Sequence, residues 1–314
     1  MGDTLIVQIY VDDIFFGGSS HALISNEFEM SLMGQLQFFL GLQIKQGPGG
    51  TFILQAKYIR DILKKWGGGG PEGILRDDRL TSVPDEDQAG HSVRGLSLCA
   101  LLASPRTSHC QAVKRIFRYL KFTPELGLWY SSGSSLSLSL RGFSDADHAD
   151  CRIDCKSTSS TCQLLGTSLV SWCSRKRASV ALSTTEAEYV AAASCCSQLL
   201  WMKATLSDFG LRFGRIPLLV DSTSTIYVAK KPVLHSRTEH IDVRFHFLRD
   251  HYEKGDIDLI HVVSANKLAD IFTKPLEFDA FTRLRGELGV EGVDNALIKG
   301  EIESQWTGLI AFLV

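Results

Sequence analysis

From Ser183 onward the sequence leaves the chain little choice. Ser183-Thr184-Thr185-Glu186 pairs a serine N-cap with a glutamate three residues later, the capping box that starts a helix. Beyond it, Ala191, Ala192, Cys195, Leu199, Met202 and Leu206 recur at helical spacing, so a long helix should lay an apolar stripe on a sheet. Glu186 has its task in the cap. Glu188 instead heads the apolar stripe. A carboxylate there requires a partner, because an unpaired buried charge is costly.

The flanking segments supply that sheet. Leu136 to Ser144 alternates Leu136, Leu138 and Leu140, then runs into Asp145-Ala146-Asp147. Short strands are expected at Thr161 to Gly166, Leu169 to Cys173 and Ser179 to Leu182. Leu218 to Val220 is an apolar strand ending in Asp221, and Ser222-Thr223-Ser224 signals a helix start. Ile257 to Val263 reads as a strand, and Asn266 to Lys274 as a helix carrying Asp270. Asp145 and Asp221 thus end strands, while Glu188 and Asp270 lie on helices. Hard oxygen ligands of this kind suit Mg²⁺ or Mn²⁺ rather than zinc. Two such ions can clamp the attacking water and the leaving oxygen of a phosphodiester. On spacing alone, solvated caps and surface charges are the simpler reading, because aspartate is common at strand ends.

The rest of the chain has other textures. Leu5 to Tyr10 and Ile14 to Phe16 read as a hairpin with Asp12-Asp13 at its turn. Phe38 to Ile44 and Thr51 to Leu54 flank Gly47-Pro48-Gly49-Gly50 as a second hairpin. Tyr58 to Trp66 is a short helix with Tyr58, Ile59, Ile62, Leu63 and Trp66 on one side. Residues 67–95 are a linker opened by four glycines and Pro71. Residues 108–121 form an amphipathic helix with Val113, Ile116, Phe117 and Leu120 on its apolar face and Lys114, Arg115, Arg118 and Lys121 elsewhere. Residues 131–135 read as a hinge, 136–289 as one α/β domain, and 290–314 carry no clear pattern.

Composition narrows the class. With 314 residues, a prior of about two domains holds. A net charge of −2 excludes a highly basic DNA-coating protein and an acidic disordered tail. Asp12 and Asp13 interrupt the first apolar run and no basic n-region precedes it, so secretion is not expected and an intracellular site, cytoplasmic or nuclear, is. The last apolar run, Leu309 to Val314, is too short to span a bilayer, so no membrane partner is expected. Eight cysteines without a CxxC pair read as free thiols in a reducing compartment.

Several ordered stretches resemble one family. Ser144-Asp145-Ala146-Asp147, Lys156 to Ser159, Val170-Ser171-Trp172, Ala181 to Tyr189, Val233 to Asp242 and Leu268 to Leu276 are similar to the ribonuclease H domain of copia-type retrotransposon Pol polyproteins. Tyr10-Val11-Asp12-Asp13 and Phe39-Leu40-Gly41-Leu42 resemble the end of the same polyprotein's reverse transcriptase, and residues 108–130 its connecting segment. The division expected is therefore 1–66 reverse-transcriptase remnant, 67–95 linker, 96–135 connection, 136–289 ribonuclease H-like domain and 290–314 unassigned. The resemblance implies a ribonuclease H-like mixed five-stranded sheet with flanking helices. It implies an endonuclease that cuts the RNA strand of an RNA–DNA hybrid with two Mg²⁺ or Mn²⁺ ions, and no small-molecule cofactor. Carried over by position, the metal-binding catalytic residues are Asp145, Glu188, Asp221 and Asp270. Other Pol and Gag products of such an element are candidate partners. Asp12 and Asp13 persist from the polymerase motif, but the chain begins nine residues before that motif, and no polymerase activity is expected. The family's occasional catalytic histidine has its nearest counterpart in His261, which falls within a strand pattern.

Arg175-Lys176-Arg177, Lys230-Lys231, Arg237 and the basic helix of residues 114–121 could follow a phosphate backbone without reading bases. Trp172 and Trp201 are expected in the core rather than as stacking platforms. His235, His240, Asp242 and His246 cluster in sequence, but their spacing fits no zinc pattern. A polar loop is the simpler reading. The alternative to an enzyme is a non-catalytic, nucleic-acid-binding or poorly folded remnant of a degenerate element.

Overall fold

The computed structural model describes residues 5–10, 13–18, 34–66, 107–132, 138–149, 155–230, 247–274 and 276–292. The chain divides into two compact units between Leu36 and Gln37. In the first unit, β1 (Leu5–Tyr10) and β2 (Asp13–Gly18) pair antiparallel, from Leu5 opposite Gly18 to Tyr10 opposite Asp13. This is the expected hairpin. Asp13 opens β2, and Asp12 lies outside the described residues.

The second unit begins with β3 (Phe38–Phe39), β4 (Leu42–Gly47), β5 (Gly50–Leu54) and α1 (Ala56–Trp66). The single strand expected over Phe38 to Ile44 is two, because Leu40 and Gly41 both take positive φ (48° and 83°). Two such residues in succession make the tight turn that reverses a strand. The expected one-sided face of α1 is narrower than its periodicity suggests: Ala56 and Ile59 are buried, while Tyr58 is exposed. Next come α2 (Thr107–Phe122) and β6 (Gly127–Ser131). The expected hinge at residues 131–135 starts inside this strand, and 133–137 lie outside the described residues, as does the linker of residues 67–95. The order β12-β6-β5-β4-β3, with β12 being Val290–Glu291, makes an antiparallel five-stranded sheet. One segment of the patternless tail therefore has a place.

The other sheet carries β7 (Leu140–Ala146), β8 (Thr158–Leu165) and β9 (Ser168–Lys176), then β10 (Ile216–Val220) and β11 (Ile257–His261). Between β9 and β10 runs α3 (Thr184–Asp208); α4 (Thr223–Lys230) and α5 (Phe247–Glu253) precede β11. The order is β11-β10-β7-β8-β9, antiparallel through β7, β8 and β9 and parallel through β7, β10 and β11. This is the mixed five-stranded sheet with flanking helices that the resemblance implied. The strand expected at Ser179 to Leu182 is irregular chain, because it is drawn into the start of α3. Leu182 N–H donates to Glu186 Oε2 at 2.7 Å, and Glu186 N–H to Ser183 Oγ at 3.1 Å.

Helix α3 lies on one face, where Cys195, Leu199 and Met202 meet Leu140, Leu218 and Leu259. Gly142 makes the approach possible. A Cβ there would stand 2.8 Å from both Cys195 Sγ and Leu199 Cδ1. The opposite face, from Phe143, Cys162 and Leu164, shares a core with Ile59, Tyr119 and Leu128, so the two sheets of this unit are packed together. Tyr130 Oη adds a hydrogen bond to Leu169 O at 2.8 Å. Trp172 packs partly against this core, as expected, but Trp201 is 62% exposed on α3. It stands on the solvent side of a helix whose apolar stripe runs elsewhere. Before β12 comes α6 (Phe278–Glu287), whose Phe281 and Leu284 join the same core.

Candidate functional site

Four elements converge at one end of the mixed sheet. Leu218 and Leu219 on β10 stand level with Gly142 and Phe143 on β7. Asp221 and Asp145, each three residues beyond such a level pair, therefore emerge side by side. Asp145 shares the strand face of Phe143 two residues earlier, as the pleat requires. Glu188 reaches the same end of the sheet from the first turns of α3, which the Gly142 contact presses onto the other face.

The fourth acid comes from an element that the sequence pattern misassigns. The helix expected over Asn266 to Lys274 is two 3₁₀ turns, Ser264–Asn266 and Leu268–Phe272. Its carbonyls face other donors. Ser160 Oγ donates to Ala269 O at 2.9 Å, and Ser174 Oγ to Phe272 O at 2.8 Å. Leu268, Ala269, Ile271 and Phe272 are all buried, which leaves no solvent face for an amphipathic α-helix. Two buried serines on β8 and β9 thus hold Asp270 in place between the carbonyls they bind.

Carboxylate oxygens of Asp145, Asp221 and Asp270 lie within 4.8 Å of one another. Asp145 is 0% exposed; Glu188 and Asp270 are buried and Asp221 half-buried. Cations that the sequence reading overlooked stand among them. Lys267 Nζ donates to Asp145 Oδ1 at 2.6 Å, to Glu188 Oε1 at 3.3 Å and to Asp221 Oδ1. Lys274 Nζ lies 3.2 Å from Asp145 Oδ1 and 3.1 Å from Asp270 Oδ1. Thr273 Oγ1 donates to Asp145 Oδ2, and Ser264 Oγ to Asp221 Oδ2 at 3.1 Å. The i, i+4 spacing of Asp270 and Lys274 was a visible signal. Nothing local marks Lys267.

Burial sets the charge states, and the neighbours adjust them. Burial acts to raise the Asp145 pKa, but Lys267 and Lys274 and the hydrogen bonds from Lys267 and Thr273 outweigh it and hold it low. Burial pushes Glu188 up to about 8; Lys267 opposes this, while Asp145 and Asp221 add to it. Asp270 is raised to about 6, by burial first and then by the Asp145 charge. Burial would lower Lys267, but Asp145 and Glu188 keep it above the ordinary lysine value.

The basic run divides. Asp145 pairs with Ser160 and Ser160 with Ser174, so Arg175, Lys176 and Arg177 follow at the same end of the sheet, two strands away. That is about 10 Å across the sheet. Lys230 ends α4, a helix length of roughly 12 Å from the end that starts beside Asp221, and its ammonium sits 5.4 Å from the Tyr252 ring centre. Lys231, Arg237, His235, His240, Asp242 and His246 lie outside the described residues. His261 ends β11, exposed. Among the described cysteines, Cys155, Cys162, Cys173, Cys195 and Cys196 are free thiols.

The donor set fits divalent cations. All candidate ligands are hard carboxylate oxygens. Glu188 Oε2 is buried with no hydrogen-bond partner among the described residues, an orphan that a cation would satisfy.

Comparison with known proteins gives the class and then the family. Residues 1–73 match the family model for reverse transcriptase (RNA-dependent DNA polymerase). The chain is 32% identical over 319 residues to the retrovirus-related Pol polyprotein from transposon RE1 of Arabidopsis thaliana, an alignment covering 91% of this chain and 22% of that protein. It is 30% identical over 233 residues to an uncharacterized mitochondrial protein of Arabidopsis thaliana, covering 65% of this chain and 96% of that one. Among solved structures, the N-terminal RNase H domain of a Mycobacterium tuberculosis protein, fused to maltose-binding protein, is similar over 48% of this chain and 98% of that chain, with 11% identity and a TM-score of 0.34. The strand order described above, rather than that likeness, defines the sheet. The chain belongs to the copia-type, retrovirus-related Pol polyproteins. It spans about a fifth of the length of the Pol relatives it matches first. No helix among the described residues is long and apolar enough to cross a membrane.

Proposed function

We propose that this chain is a metal-dependent ribonuclease H-type endonuclease that cuts the RNA strand of RNA–DNA hybrids. The observation that carries the reading is the meeting of Asp145, Asp221 and Asp270 within 4.8 Å, from a strand, a strand end and a 3₁₀ turn, with Glu188 bound to Lys267 as Asp145 and Asp221 are. Asp145, Glu188, Asp221 and Asp270 would hold two divalent ions, Mg²⁺ or Mn²⁺. When bound, such ions supply an activated water and offset charge on the phosphodiester. The chain's own residues fix the geometry: α3 is pressed on β7, and Ser160 and Ser174 clamp the 3₁₀ turn. Arg175, Lys176 and Arg177 would hold phosphates of the substrate, with recognition by backbone and 2′-hydroxyl rather than by base.

The test is cleavage of a hybrid labelled on each strand, with Mg²⁺, with EDTA, and by Asp145→Asn. The expected result is Mg²⁺-dependent cutting of the RNA strand alone, lost in the variant. Cutting that survives Asp145→Asn, or that spares RNA and degrades DNA, refutes the assignment. A second reading, binding without cleavage, is favoured by one observation, the Lys267 ammonium set among three of the four acids. A folded protein that retains hybrids but leaves them intact in Mg²⁺ would support it.

A further inference from the structure

Lys267 is fully enclosed at the site. It is 0% exposed, and its ammonium contacts Asp145, Glu188 and Asp221 at once. A lysine is held at such depth only when its charge is matched. These and neighbouring contacts engage five of the six carboxylate oxygens of Asp145, Glu188 and Asp221. Among the described residues, Asp145 gives Oδ1 to Lys267 and Oδ2 to Thr273; Asp221 gives Oδ1 to Lys267 and Oδ2 to Ser264; Glu188 gives Oε1 to Lys267. Among the described residues, Glu188 Oε2 and Asp270 Oδ1 have no hydrogen-bond partner, although the Lys274 ammonium lies 3.1 Å from the latter. Four ionised carboxylates would match the charge of two divalent ions. With Lys267 and Lys274 among them, half of that charge is already offset.

We infer that the Lys267 ammonium is a built-in counter-ion that competes with divalent metal for Asp145, Glu188 and Asp221, so that a metal ion loads only as Lys267 gives up these contacts. The inference rests on the reading of these acids as the metal ligands, and it concerns a residue outside that set. A metal ion and an ammonium drawn to the same oxygens repel each other strongly in a site shielded from water. The lysine has a benefit in the empty state: it holds together acids that would otherwise push each other apart. The cost is weaker metal binding and a higher metal requirement for whatever chemistry the site performs.

The test compares the full chain with Lys267→Gln and Lys267→Arg, each purified in Mn²⁺ and then stripped. Mn²⁺ binding is read from the free-ion resonance signal, and melting is followed with EDTA and with Mn²⁺. Lys267→Gln is expected to bind Mn²⁺ roughly tenfold more tightly or better, since a unit charge beside the ion is gone. It should melt lower than wild type in EDTA and gain more on adding Mn²⁺. Lys267→Arg, which keeps the charge, should bind as weakly as wild type. Equal affinities for wild type and Lys267→Gln overturn the inference. So does a Lys267→Arg chain that binds as tightly as Lys267→Gln, because fit rather than charge would then be responsible. If neither variant folds, wild type decides: the slowly exchanging ammonium signal of Lys267 must shift or vanish as Mg²⁺ saturates the site, and an unchanged signal overturns the inference. Tighter Mn²⁺ binding by Lys267→Gln without hybrid cleavage keeps the inference and removes the nuclease reading. Cleavage that needs Asp145, together with equal affinities, does the reverse.

Discussion

Replacing Gly142 by alanine tests how α3 is brought to the sheet, and through it how Glu188 reaches the acids. The new methyl would lie 2.8 Å from Cys195 Sγ, 2.8 Å from Leu199 Cδ1 and 3.2 Å from Leu199 Cγ. Ordinary contact between such atoms is about 3.5–4.0 Å. Something must therefore retreat by roughly 0.7–1.2 Å. Cys195 and Leu199 are both fully buried, so no empty space receives them and the helix itself has to lift. Overpacking of this kind costs about 1–3 kcal/mol. The stiffer unfolded chain returns about 0.4–1 kcal/mol. The net loss is then about 0.5–2 kcal/mol, or a fall of roughly 1–8 °C in Tm at about 2–4 °C per kcal/mol. Cys195→Ala in the same chain removes one of the two clashing groups. A cycle of urea melts on wild type, both single variants and the double variant should show favourable coupling of about 0.5 kcal/mol or more. Glu188 lies two turns before Cys195 on α3, so the single variant should also cut hybrids more slowly. A Gly142→Ala chain as stable as wild type, or one indifferent to Cys195→Ala, would refute the argument.

Other perturbations have equally definite outcomes. Ser183→Ala removes the cap that binds Glu186 N–H and should lower stability by about 1 kcal/mol, seen as a shifted urea midpoint with unchanged slope. Leu40→Asn should raise stability by a few tenths to about 1 kcal/mol, because Leu40 is exposed at φ 48° and asparagine tolerates that region better; a lower Tm contradicts the turn assignment. In EDTA, folded Glu188 keeps its proton to about 8 and Asp270 to about 6, whereas unfolded they ionise near 4.5 and 3.8. Unfolding therefore releases protons in that window, and stability should fall as pH rises from about 4.5 to about 8. Asp145, held low, contributes the opposite trend only as pH falls below 3.8. A urea midpoint higher at about pH 8.5 than at about pH 5 would be the wrong sign.

The legible parts of the fold were those with a local cause. The Ser183 cap, the stripe from Ala191 to Leu206 and the apolar strand before Asp221 each follow from neighbours a few residues apart, and each is present. The resemblance named four acids; three of them meet within 4.8 Å, and the fourth, Glu188, shares Lys267 with Asp145 and Asp221. What misled were segments whose partners are distant. Leu268–Phe272 has the composition of a helix, yet its carbonyls go to Ser160 and Ser174, more than ninety residues away. Ser179 to Leu182 has strand-forming residues but no strand to pair with among those described, and the helix cap recruits it. Trp201 was expected inside by its type, and its side of α3 is the one the sheet does not cover.

By itself, then, the sequence determined the periodicities, the caps and the chemistry of the acids, because these depend on residue type and on spacing within a few turns. The tertiary structure alone decided which charges share a site. Lys267 is, in sequence, an unremarked basic residue three positions before Asp270. Only the parallel pairing of β7 with β10, the close approach at Gly142 and the serine clamps on the 3₁₀ turn bring Asp145, Glu188 and Asp221 to its ammonium across 122, 79 and 46 residues. Electrostatic energy depends on distance through space and on exclusion of water, and neither is written in the order of residues along the chain.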